Sequence, residues 1–186
     1  DRCLSRGLGD VYKRQVAGYL DKGGKGVIQA SLDAGSFKTF FLPDGMIGDS
    51  LPTAIGDDLN GSIGTVPGTD SPGATKFNEI AKSNNFKAGP YTKESYDSAA
   101  LIMLAMQAAN STNSNDFKSK VMDVANAPGE KIFPGELAKG LKLLSEGKEI
   151  DYVGASAVEL IGGGESAGNF AEILIDNQKV TTVGYK

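Results

Sequence analysis

The chain has 186 residues, 40% of them hydrophobic, which is enough to bury a sizeable core and unlike the composition of a disordered segment. Nineteen basic residues against twenty-three acidic ones give a net charge of −4 with no basic stripe, so nucleic acid is not an expected partner. With no histidine and a single cysteine, Cys3, the Ser/His/Asp and Cys/His arrangements and every tetrahedral Cys/His zinc site are excluded.

Residues 1–15 (DRCLSRGLGDVYKRQ) carry four Arg or Lys and neither a helical nor an alternating period. They resemble a translated sequencing-adapter read-through, a non-native leader, and the fold is expected to start near Val16. From there elements alternate in the manner of an α/β layer architecture. Residues 16–20 form a short apolar run. A helical stripe follows over 22–34, and Gly35 stands where a helix end needs a left-handed residue. Residues 37–42 read as a strand stopped by Pro43.

Residues 51–59 are polar and contain Gly and Pro, and 61–66 (GSIGTV) read as another strand. The stretch 67–73 (PGTDSPG) is the linker candidate. Helices are expected over 74–84, with Phe77, Ile80 and Ala81 on one face, and over 92–109, with Tyr96, Ala99, Ala100, Met103 and Met106 on one face. The run 99–109 is the longest apolar stretch; Gln107 breaks it and it falls short of the roughly twenty residues a membrane span needs. Asp116 is the expected N-cap of a helix over 117–125. Pro134 and Gly147 bracket a further helix through Leu137, Leu141 and Leu144. The last forty residues change period, with β-like runs over 152–161, 171–176 and 180–185 and a hairpin turn at 176–179 (DNQK).

Two glycine-rich stretches invite a nucleotide reading and neither meets its requirements. Residues 162–168 (GGGESAG) fit G-x-G-x-x-A, but a β-like run follows where the fingerprint needs a helix, and the chain ends before its acidic partner. Residues 22–26 (KGGKG) miss the phosphate-loop spacing because Val27 follows Gly26. A nucleotide-dependent enzyme on a doubly wound sheet is the rival that rests on these runs, and without histidine, a phosphate loop or clustered carboxylates it has little to work with. Pro43-Asp44-Gly45 has two readings. It is good turn chemistry, and it also closes a strand at the sheet edge where open α/β folds bind ligands, so the carboxylate can hold an ammonium. Tyr19 ends the run one βα unit earlier and reaches the same edge, or is a half-buried core tyrosine.

In order, Ala17-Gly18-Tyr19, the helix to Gly35, Phe40-Phe41-Leu42-Pro43-Asp44-Gly45 and Leu59-Asn60-Gly61 resemble the second-lobe segment of the periplasmic leucine/isoleucine/valine-binding proteins of ABC transporters. Tyr96-Asp97-Ser98-Ala99-Ala100, Phe133-Pro134-Gly135-Glu136-Leu137 and Ile150-Asp151-Tyr152-Val153-Gly154-Ala155-Ser156 are similar to later segments of that family. The resemblance implies a partial type I periplasmic-binding-protein fold, two doubly wound, Rossmann-like α/β lobes with an incomplete N-terminal half. Residues 16–66 would belong to the second lobe, 67–151 to the first, and 152–186 would be terminal strands crossing back to the second.

The resemblance further implies a non-enzymatic, extracytoplasmic (periplasmic or membrane-associated) monomer without a cofactor or metal. It would bind an amino acid, a branched-chain one, between its lobes and deliver it to a membrane permease. Tyr19 and Asp44, with Gly18 and Gly45 around them, occupy the places that meet the ligand's α-ammonium. The family's acid here is often glutamate, and its members usually carry an Asp-rich turn where this chain has Gly162-Gly163-Gly164. A ligand-sensing or receptor domain of the same fold, for amides or other small solutes, is the alternative.

Overall fold

The computed structural model describes residues 18–89 and 91–186. The leader over 1–15 and the first two residues of the apolar run over 16–20 lie outside them. The chain forms two compact units: the first is the chain up to Val66 with Glu172–Val183, and the second is Pro67–Ala171 with Gly184–Lys186.

In the first unit, Tyr19 is extended and leads into a 3-10 turn, Leu20–Lys22, followed by α1 (Gly24–Asp33). Ile28 is buried on α1, with Leu32 one turn on packed against the same core. Gly35 takes a φ of 63° just past the helix, the left-handed end the sequence calls for. The strand expected over 37–42 narrows to β1 (Phe41–Leu42), although Phe40 still accepts the amide of Ile63. Pro43, which has no N–H to give a ladder, ends it.

The stretch over 51–59, which reads as polar, holds α2 (Ser50–Ile55) and a 3-10 turn (Gly56–Leu59), because Leu51, Pro52 and Leu59 all bury. It leads to β2 (Ile63–Pro67), parallel to β1 with Phe41 opposite Ile63 and Leu42 opposite Gly64. Leu20, Ile28, Leu42, Met46, Leu51, Leu59 and Ile175 make the core. Burying one such side chain contributes roughly 1.5–3 kcal/mol.

The second unit opens with α3 (Pro72–Ser83). Ser71 caps it by accepting the amide of Ala74, and Pro72 sits in its first turn, so the last two residues of the linker candidate belong to this helix. Next comes α4 (Thr92–Ala109), over the expected residues but with another face inward. Asp97, Ala100, Leu101, Leu104 and Ala105 are buried, whereas Ala99 and Met103, expected inside, are exposed. A carboxylate in the buried stripe hides it from a reading that assigns charged residues to solvent. Asn113, not Asp116, caps the next turn, α5 (Ser114–Phe117), while Asp116 accepts the hydroxyl of Ser111; α6 (Lys120–Ala125) follows.

Then β3 (Glu130–Ile132), α7 (Leu137–Ser145) and β4 (Ile150–Tyr152) form a βαβ unit, its strands parallel with Ile132 opposite Tyr152. A Cβ on Gly140 of α7 would stand 2.9 Å from Leu104, so the glycine lets α7 close on α4. The β-like reading over 152–161 resolves into a loop and the short β5 (Leu160–Ile161), which pairs antiparallel with β6 (Glu165–Ser166). Gly162 and Gly164, both at positive φ, turn this hairpin, and no helix follows them. Residues 152–171 thus stay with the second unit.

The chain ends in β7 (Phe170–Asp176) and β8 (Lys179–Tyr185), joined by Asn177 and Gln178 at φ 49° and 58°, the two-residue turn the sequence announces. The four-stranded sheet runs in the order β1-β2-β7-β8. Among the described residues, no helix is long and apolar enough to cross a membrane.

Candidate functional site

The four residues singled out by sequence, Gly18, Tyr19, Asp44 and Gly45, come together in the first unit. Tyr19 lies ahead of α1 with its carbonyl accepting the amides of Lys22 and Gly24, both at 3.1 Å. Asp44 opens a 3-10 turn (Asp44–Met46) directly after β1 and Pro43, and its Oδ1 accepts the amide of Gly45 at 2.7 Å. The two turns touch through Gly45. A Cβ built on it would stand 3.0 Å and 3.1 Å from Cδ1 and Cε1 of the Tyr19 ring and 2.8 Å from the carbonyl oxygen of Gly18.

Tyr19 is 68% exposed, so it is not the half-buried core tyrosine of the alternative reading. Asp44 is exposed too, on the turn next to it. The arrangement puts an exposed carboxylate and an exposed aromatic ring on two turns that touch at Gly45, at a strand end. That pair suits a small cation, since a carboxylate accepts from an ammonium and a ring face attracts one.

Beneath it lie two residues that sequence reasoning passes over. Met46 is 3% exposed, and its thioether meets the place where a side chain on Gly24 would be. No spacing rule marks that contact, because residues twenty-two apart in sequence make it.

The second unit holds a separate polar centre. Asp97, 2% exposed, takes four hydrogen bonds: Tyr152 Oη and the Ala155 amide donate to Oδ1 at 2.8 and 2.7 Å, and the amide and Oγ of Ser156 donate to Oδ2 at 2.7 and 2.6 Å. It anchors the loop after β4 to α4. Burial, with the charge of Asp97 beside it, pushes the Tyr152 phenol far above its usual range, so Tyr152 stays a donor. Gly154, at φ 65°, lies over the carboxylate, where a Cβ would approach it to 2.6 Å. A signal was present in the sequence: Asp97 falls in step with Ala100, Leu101, Leu104 and Ala105 at the three- and four-residue spacing of a buried face.

Nearby, Glu136 accepts the Phe133 amide at 3.0 Å and pairs with Lys76 at 3.3 Å, while the Lys76 ammonium lies 4.2 Å from the Phe133 ring centroid. An open cavity of about 330 Å³ is lined by Val153, Val158, Glu159 and Asn169 among others, and none of the four predicted site residues reaches it.

The fold is that of the type I periplasmic-binding proteins, present in part, which is the class the sequence leads one to expect. It superimposes on the crystal structure of a leucine-binding protein, LivK of Thermotoga maritima, with a TM-score of 0.65 at 16% identity, covering 90% of this chain and 42% of that one. In sequence the chain is similar to BasB, a chemotactic signal transduction system substrate-binding protein of Halobacterium salinarum, at 28% identity over 97 residues, which is 52% of this chain and 24% of BasB. It therefore spans less than half of the first and about a quarter of the second. No protein-family model matches it.

Proposed function

We propose that this chain is part of an extracytoplasmic solute-binding protein that takes up an amino acid, a branched-chain one, and hands it to the permease of an ABC transporter. Asp44 accepts the ligand's α-ammonium and the Tyr19 ring lies against it, with Gly18 and Gly45 shaping the turns around them. No bond is made or broken. Ligand acts by binding one conformation of the protein better than another, and the protein, a monomer without a cofactor, then docks on its membrane partner.

The observation that carries this reading is the meeting of Tyr19 and Asp44 across Gly45, in a chain whose fold matches that of a leucine-binding protein. A charge-assisted hydrogen bond to a carboxylate shielded by bound ligand contributes roughly 1.5–3 kcal/mol.

Calorimetric titration of leucine, isoleucine, valine and serine into the intact protein, wild type and Asp44→Ala, tests it. Heat-releasing binding of the branched-chain ligands, lost or much weakened in Asp44→Ala, is expected. Absence of binding by any of them would refute the ligand class, and binding indifferent to the substitution would return Asp44 to a turn residue.

The likeness to BasB supports a second reading, in which the same ligand-binding site serves a signalling partner. Uptake into vesicles carrying a reconstituted permease, stimulated by the loaded protein, separates transport from signalling.

A further inference from the structure

Glycines in turns are usually there for a left-handed backbone, and ten glycines among the described residues do take a positive φ. Gly24 and Gly45 do not. Their backbone conformations are open to any residue, so what each position excludes is volume. A Cβ on Gly24 would meet the Met46 thioether and stand 2.8 Å from the Tyr19 carbonyl oxygen. One on Gly45 would press on the Tyr19 ring at 3.0 Å and on the Gly18 carbonyl oxygen at 2.8 Å. Both clashes involve backbone oxygens, which cannot swing aside as a flexible side chain can. Gly23 and Gly26, on either side of Gly24, have nothing within 4 Å of such an atom.

Both crowded positions converge on Tyr19, from its carbonyl and from its ring. Packing a core does not account for the second contact, because Tyr19 remains 68% exposed. Met46 completes the arrangement from below, reaching Gly24 and lying 3.9 Å from where a Cβ on Gly18 would be. Two side-chain-free positions and one buried thioether thus help join the turn before α1 to the turn after β1.

We propose that Gly24 and Gly45 are positioning residues, whose absent side chains make the seat that holds the Tyr19 ring beside Asp44 before any ligand arrives. This rests on reading Tyr19 and Asp44 as a ligand-binding pair. The seat removes the need to order the ring during binding, and with it the entropic cost of immobilising that side chain.

The test uses the intact protein with ring-labelled tyrosine, a Tyr19→Phe variant to assign the Tyr19 resonance, and Gly24→Ala, Gly45→Ala and Gly26→Ala. In ligand-free protein, Gly24→Ala and Gly45→Ala are expected to shift the Tyr19 resonance while other tyrosine resonances hold. They are also expected to weaken leucine binding by roughly tenfold or more, since a site group displaced by an ångström loses its function. Gly26→Ala should do neither. If the Tyr19 resonance is unmoved in the first two variants, or if it moves while affinity stays at the wild-type value, the inference is overturned.

Should Gly45→Ala fail to fold, Gly24→Ala carries the same test from the other side of the seat. A Tyr19 resonance that moves as expected in a protein that binds none of leucine, isoleucine and valine would uphold the seat and refute the branched-chain reading instead.

Discussion

Replacing Asp97 by alanine removes the one carboxylate that α4 buries and strips four donors of their acceptor at once. The amides of Ala155 and Ser156 are fixed by the backbone and cannot turn to another partner, whereas the two hydroxyls can rotate. An unsatisfied buried donor costs about 1–3 kcal/mol, so two fixed ones and a cavity the size of the lost carboxyl put the destabilisation near 4 kcal/mol. Asp97→Asn keeps the shape and one acceptor oxygen but turns an NH2 toward two of the donors, and about half that loss is expected. With a urea slope of about 2 kcal/mol/M, Asp97→Ala lowers the unfolding midpoint by roughly 2 M. Hydrogen exchange gives the local reading, since the Ala155 and Ser156 amides should lose protection ahead of the amides of α7. A midpoint within about 0.3 M of wild type, with both amides still protected, would refute the role assigned to Asp97.

Glu136 gives a prediction in pH. The Phe133 amide, opposed by some burial and helped by Lys76, holds its carboxyl below its ordinary value of 4.5. A depressed folded value means the contribution is complete at neutral pH and is lost as pH falls through that value. Glu136→Gln is therefore expected to lower thermal stability at pH 7 by less than about 1 kcal/mol, a difference that melting curves between pH 7 and pH 3 should show closing below pH 4.5. At the β7–β8 turn, Gln178 holds a φ of 58° that glycine adopts without strain. Gln178→Gly is expected to stabilise the protein by about 0.5–1 kcal/mol in thermal unfolding, and a loss of stability would show that its bond to Asp57 outweighs the strain.

Periodic or punctuated elements are legible in the chain. The helices around Phe77 and Leu104 follow from spacing, and the Asn177-Gln178 turn from two runs of β-like residues. The strand ahead of Pro43 is shorter than its apolar run because Phe40 meets the β2 side through its carbonyl, which accepts the Ile63 amide, while its own amide turns to the Ser62 hydroxyl and not to a ladder carbonyl. The inward face of α4 escapes because burial of Asp97 depends on donors more than fifty residues away.

At the site, Tyr19 and Asp44 are visible as residues at strand ends and gain a role from a family resemblance. The seat beneath them is not visible. Whether a glycine is needed for its backbone or for its missing volume depends on what packs against it, and Met46 on Gly24 and Tyr19 on Gly45 are contacts that only the fold reveals.

The central claim is that Asp44 reads an ammonium, and the most direct measurement is a cycle of four affinities: leucine and 4-methylpentanoate, which lacks the amino group, each titrated into wild-type protein and Asp44→Ala. The account predicts that deleting the amine from the ligand weakens wild-type binding by about 1.5–3 kcal/mol, roughly 10- to 150-fold, and has little effect in Asp44→Ala. An equal loss in both proteins would contradict it, placing the ammonium's partner elsewhere.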